Sequence, residues 1–203
     1  VRYQICVSGA ASGETVTAAH QIAYDLGVAI AKKGKTLLTG ATVGLPHYAA
    51  MGYMSVDDSR SGVSVGFSPA SSFREHVAVY KLPTKEFDYI NFTGMQYVGR
   101  DVHLVRSSDA VITVGGRMGS LHELSTALES RKVCAVLLGS GGLADYVPTL
   151  LQYIEAPGAN DIIFDTDPKR IVNKVIKALD MKYADFEHDG KDGHLMHRYS
   201  KNG

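Results

Sequence analysis

The chain has 203 residues, enough for one domain with a full apolar core. It is 45% hydrophobic and 21% charged, a globular rather than a disordered composition, and 21 Lys+Arg balance 21 Asp+Glu. A net charge of zero argues against a protein built mainly to grip a polyanion, and no run approaches the ~20 apolar residues of a membrane span.

Apolar runs and helical patterns alternate along the chain. Residues 3–8 read as a buried strand that the chain enters without a signal-peptide pattern, so the expected compartment is the cytoplasm. A glycine-bearing turn, Gly9-Ala10-Ala11-Ser12-Gly13, leads to a helix over about 15–33. Its Val16, Ala19, Ala23, Leu26 and Ile30 keep the spacing of one buried face, and Gly34 suits its end. Residues 35–39 form a second strand, followed by the turn 40–44 and a short helix over 46–56; residues 62–67 form a third strand. Residues 68–86 read as a long loop with one helical turn, in which Arg74, Glu75 and His76 either cover a site or sit on a plain surface. Then come a short strand over 88–92, a helix over 94–106, a strand over 109–114 and the glycine-rich turn 115–119. A helix over 120–131, a strand over 133–138, a helix over 143–154 and an edge strand over 162–164 follow. A last helix starts at Asp167-Pro168, where the missing proline donor does no harm.

Strands alternating with helices imply right-handed crossovers. The expected fold is α/β: a three-layer αβα sandwich around a mostly parallel sheet of six to seven strands. One domain is expected over 1–180, with a polar tail over 181–203. His188, His194 and His197 lie in that tail with no element to fix their geometry, so no metal is expected. Cys6 and Cys134 form neither a disulfide framework nor a zinc set and read as small buried hydrophobes.

Ligands of an open parallel sheet bind beyond the carboxyl ends of its strands. Three glycine-bearing loops fall there: 8–13, with Ser8, Gly9 and Gly13; 39–44, with Gly40 and Gly44; and 115–120, with Gly115, Gly116, Arg117, Gly119 and Ser120. Glycine admits close backbone approach, and the following helix start offers N–H groups and a positive dipole end, a combination suited to phosphate. The alternative is that glycine merely makes tight turns. No loop is a Walker A sequence, and residues 9–13 do not make a dinucleotide fingerprint. Ser120 and Glu123 have the spacing of a capping box, in which serine caps the helix and the glutamate reaches back to the cap. The same Glu123, close to a helix N-terminus holding a phosphate, would instead face the attached sugar.

The stretch Gly115-Gly116-Arg117-Met118-Gly119-Ser120-Leu121-His122-Glu123 resembles the Pro-Gly-Gly-x-Gly-Thr-x-x-Glu signature of the Lonely Guy (LOG) family, once labelled lysine decarboxylase-like. Thr39-Gly40-Ala41-Thr42-Val43-Gly44-Leu45 resembles that family's glycine turn, and Ser108-Asp109-Ala110 its approach to the signature strand. The likeness spans about residues 2–180 and implies a Rossmann-like fold. It also implies hydrolysis of a nucleoside 5′-monophosphate to free base and ribose 5-phosphate. Arg100 and Glu123 become the catalytic candidates, and Gly115, Gly116, Gly119 and Ser120 the phosphate cradle. Arg117 adds a phosphate contact or is a solvated loop residue. No cofactor, nucleic acid or membrane partner is implied; a nucleoside monophosphate or phosphorylated sugar is the expected ligand. A homodimer or higher assembly is expected, with the Arg100 helix near the interface.

The sequence departs from the signature in several places. Val114 replaces proline, one residue is added at Arg117-Met118, and Ser120 replaces threonine. Asp101 stands where the family has lysine, and Tyr97 where it has methionine. The alternative function is a non-catalytic nucleotide-binding or nucleotide-sensing module. Amino-acid decarboxylation is disfavoured, because none of the three loops carries a lysine for pyridoxal phosphate.

Overall fold

The computed structural model describes residues 3–56 and 60–189, with side chains through Ala184. Seven strands alternate with seven helices: β1 (Gln4–Gly9), α1 (Glu14–Lys32), β2 (Thr36–Thr39), α2 (Leu45–Met54), β3 (Ser64–Ser68), α3 (Phe73–Ala78), β4 (Tyr89–Phe92), α4 (Gln96–Ser107), β5 (Ala110–Val114), α5 (Met118–Glu129), β6 (Val133–Leu137), α6 (Gly142–Leu150), β7 (Ile163–Asp165) and α7 (Pro168–Asp189). The strands form one sheet in the order β4-β3-β2-β1-β5-β6-β7, every neighbouring pair parallel. The strand order reverses at β1 and β5, where Ile5 lies opposite Ala110 and Gly9 opposite Val114. Such a reversal opens a crevice beyond the carboxyl ends of the two strands.

Side chains alternate across a strand, so each β1 residue chooses a layer. Ile5 and Val7 join Leu26 and Ile30 of α1, Leu45 and Tyr53 of α2 and Ile171 of α7. Cys6 faces the other way, with Leu104 of α4, Leu124 of α5 and Val147 of α6. Both cysteines are buried and free. Ser8 shares the parity of Cys6 and is therefore delivered toward α4 and α5. That alternation along β1 decides which layer builds the site.

Helix α1 buries Ala19, Ala23, Leu26 and Ile30, the stripe its spacing predicts. It ends as expected: Gly34 takes φ +62°, and its N–H donates to the Ala31 carbonyl at 2.8 Å. Helices α1 and α2 meet backbone to backbone. A Cβ on Gly27 would lie 2.7 Å from the carbonyl carbon of Ala49. At the start of α7, Asp167 accepts the Arg170 N–H at 2.7 Å, with Pro168 as first helical residue. The helix continues through Asp189, past the tail boundary expected at 180. The rest of that tail, including His194 and His197, lies outside the described residues, as does the His188 side chain. Among the described residues, no helix is long and apolar enough to cross a membrane.

The long loop contains α3, capped by Ser72 Oγ, which accepts the Glu75 N–H at 3.2 Å. His76 is buried here rather than covering a site. Its Nε2–H donates to the Pro83 carbonyl at 2.9 Å, which leaves Nδ1 to accept the Ser68 hydroxyl at 2.8 Å. The imidazole thus ties the end of β3 to the loop that follows α3.

Candidate active site

At the strand reversal lies a cavity of about 310 Å³, near the lower limit of the usual range for small-ligand sites. All three glycine loops reach it: Gly9, Gly40 and the stretch from Arg117 through Ser120 form walls, and α4 and α5 contribute Arg100, Asp101 and Glu123.

Arg100 and Glu123 are buried, 5% and 7% exposed, and their side chains meet: Arg100 Nη1 lies 3.3 Å from Glu123 Oε1. The second carboxyl oxygen of Glu123 accepts the hydroxyl of Ser8, delivered from β1. The same Nη1 of Arg100 lies 3.1 Å from Asp101 Oδ1, and Asp101 Oδ2 accepts from His122 Nδ1 at 3.1 Å. Gly40 makes room for the guanidinium, since a Cβ there would lie 2.6 Å from Arg100 Cζ. Arg100 Nε is buried with no hydrogen-bond partner, as is the hydroxyl of Thr113, the residue opposite Ser8 on β5. Orphaned buried donors are costly, and a bound acceptor or water would satisfy them.

Burial pushes the Glu123 carboxyl up to about 7; the negative charge of Asp101 pushes the same way, while Arg100 and the Ser8 hydroxyl pull it down. Burial likewise holds the Cys6 thiol well above its ordinary range, and Glu123 adds to the effect. A carboxyl that gains and loses its proton near neutrality, in a cavity wall, is suited to acid–base work.

The expected capping box does not form. Helix α5 begins at Met118, which places Ser120 inside its first turn, and the N-cap residue Arg117 makes no side-chain cap. Glu123 turns instead to partners on β1 and α4. The helix start is therefore uncapped where it faces the cavity, with its positive end toward any anion there. Arg117 extends across the mouth and donates to Ser12 Oγ at 2.7 Å, bridging the first and third loops.

The expected phosphate cradle divides in two. Gly119, Ser120, Arg117, Gly9 and Gly40 line the cavity, whereas Gly13, Gly44, Gly115 and Gly116 do not. The Gly115 N–H is already donated to Ser140 Oγ at 2.7 Å, and the carbonyls of Gly115 and Gly116 accept from Ala144 and Leu143 at the start of α6. Through these bonds the two glycines brace the loop against the start of α6. Gly44 (φ +82°) packs against the Ala10–Ala11 backbone, so it joins the first two loops; only glycine suits that backbone and that space. Ser8 acts from below, through Glu123.

Two residues of the site escaped the sequence reading as participants: Asp101 and His122. Asp101 was visible only as a reversed charge beside Arg100, and His122 only as the residue before Glu123 in the signature stretch. Tyr97 and Met118, both lining the cavity, stand at its exposed rim. Among the described residues, no group of His, Cys, Asp and Glu is placed to hold a metal ion.

A doubly wound parallel sheet with its cavity at the strand reversal and an uncapped helix start in the wall defines a Rossmann-like α/β protein. The chain belongs to the SLOG cluster4 family, whose family model matches residues 2–172. It is 34% identical over 134 residues to an uncharacterized protein of Archaeoglobus fulgidus, covering 66% of this chain and 79% of that one. The molybdenum cofactor binding protein of Rippkaea orientalis superposes with a TM-score of 0.68 at 26% identity, covering 88% of this chain and 98% of the other. DNA processing protein A of Helicobacter pylori, described with a single-stranded DNA binding mode, superposes with a TM-score of 0.60 at 16% identity, covering 87% and 81%. The expectation of no nucleic-acid partner, drawn from net charge, therefore finds no support in the fold.

Proposed function

We propose that the protein binds a nucleoside 5′-monophosphate in this cavity and hydrolyses its N-glycosidic bond to free base and ribose 5-phosphate. The observation that carries the reading is the buried Glu123 carboxyl, held by Ser8 and Arg100 in the same wall as the uncapped start of α5. In this reading the monoester phosphate sits against the Gly119–Ser120 backbone, with Arg117 over it. The pentose then lies beside Glu123.

Glycosidic cleavage develops positive charge on the sugar, which a nearby carboxylate stabilises. Glu123 as carboxylate takes a proton from water as the water oxygen bonds to C1′. The bond from C1′ to the base nitrogen breaks, its electron pair stays with the base, and a proton is returned to that nitrogen. Arg100 keeps its charge throughout and supplies donors to the departing base or to the phosphate.

A second reading is favoured by the 26% identity to a molybdenum cofactor binding protein: the same cavity holds a phosphorylated heterocycle as cargo, without cleavage. Incubation with AMP, GMP, CMP and UMP separates the two. Release of free base that is lost in Glu123→Gln and in Arg100→Ala supports hydrolysis. Binding without release from any of the four overturns it and leaves the carrier or sensor reading.

The proposal includes a homodimer formed on the outer face of α4. Val98 is 70% exposed and Val102 36%, four positions apart and so on one exposed apolar face of the helix.

A further inference from the structure

Asp101 and Glu123 both approach one nitrogen, Arg100 Nη1, at 3.1 and 3.3 Å, and both carboxyls are nine-tenths buried or more. Two carboxylates and one guanidinium in a buried wall carry a net negative charge among themselves, which such a site can shed by retaining a proton. Four further groups surround the pair. From β1 come Ser8, a neutral donor to Glu123, and Cys6, whose thiol keeps its proton. From α5 comes His122, bonded to the outer oxygen of Asp101 with its side chain 37% exposed. From the third loop comes Arg117, whose guanidinium is turned to Ser12.

We propose that Asp101 and Glu123 act as one carboxyl pair holding a single shared proton, with Arg100 as their common cation and His122 as the clamp that aims Asp101 inward. The inference deepens the hydrolytic reading and rests on it for its chemical use, although the shared proton itself does not. In that use the pair's proton goes to the departing base nitrogen as the glycosidic bond breaks. The proton lost by the attacking water restores the pair. Asp101 is then the acid-side partner that makes Glu123 available in both forms. The upward displacement of the Glu123 carboxyl, to which Asp101 contributes second after burial, agrees with this geometry.

The test is carboxyl-carbon NMR of the full chain against pH, with Glu123→Gln and Asp101→Asn to assign the signals. In the wild type, the Asp101 and Glu123 carbons respond together at the near-neutral step, because a shared proton leaves both. In Asp101→Asn, the Glu123 midpoint falls by about one pH unit or more, as removal of a neighbouring like charge requires. A near-neutral step confined to the Glu123 carbon, or a Glu123 midpoint unmoved in Asp101→Asn, overturns the pair. The wild-type titration decides the matter alone if the variant does not fold. Base release measured alongside separates the two claims: a joint titration with no release from any nucleotide leaves the pair standing and removes the hydrolytic reading. With release, the basic limb of the kcat profile moves to lower pH in Asp101→Asn.

Discussion

Gly40→Ala is a sharp perturbation of the site because it adds a single carbon where Arg100 passes. The new Cβ would lie 2.6 Å from Cζ and 2.7 Å from Nη2, and closer still to Nη1. Carbon contacts settle near ~3.5–4 Å, so the guanidinium must retreat by about 1 Å. It has little freedom to do so gently, since Nη1 is held at 3.1 Å by Asp101 and 3.3 Å by Glu123. A misplacement of about 1 Å in a catalytic group costs roughly 10²-fold in rate, or about 2.7 kcal/mol. The fold pays little, because residue 40 is not at positive φ and the obstruction is a side chain rather than backbone. The stability change is expected within about 1 kcal/mol. The assays are kcat/KM for base release, nucleotide affinity by calorimetry, and thermal unfolding of the same preparations. In an Arg100→Lys background, whose shorter fork-less head avoids the clash, Gly40→Ala should add little further loss. Parent-like kcat/KM and affinity in Gly40→Ala would refute the placement of Arg100 as a working group.

The remaining predictions concern pH, backbone and assembly. Glu123 titrates at about 7 in the fold against 4.5 for a free carboxyl, so the folded state keeps a proton that the unfolded chain loses between those values. Its raised position makes stability fall as pH rises through that window, by an amount on the order of 3 kcal/mol, and urea unfolding at pH 5 and 7.5 should show that this slope is reduced in Glu123→Gln. Gly44→Ala places a Cβ 2.5 Å from Ala11 Cα at φ +82°; denaturant unfolding should show a loss of about 1–3 kcal/mol or more. Val98→Asp together with Val102→Asp should convert the proposed dimer to monomer in sedimentation, while an unchanged mass rules out this face as the interface.

What the sequence made legible follows from the range of each interaction. The α/β alternation, the buried face of α1 and the Gly34 end of that helix depend on residues three to five positions apart, and their periodicity carries them. Ser120 and Glu123 show where local spacing fails. They have the interval of a capping box, yet α5 starts two residues before Ser120, and the Glu123 carboxyl is claimed by Ser8 and Arg100, 115 and 23 positions away in the chain. No local interval encodes those partners; the parity of β1 and the packing of α4 on α5 do. Likewise, Gly115 looks like a cradle glycine until Ser140, from the loop after β6, takes its N–H. Asp101 is the most telling case. Beside Arg100 in sequence it reads as a reversed charge about 100° around the helix, yet α4 is buried on both sides of that angle, and His122 draws the carboxylate inward to the same nitrogen that holds Glu123. A reversed charge at the edge of a site becomes, once folded, a second carboxyl within it. Any chemistry assigned to Glu123 must therefore account for Asp101.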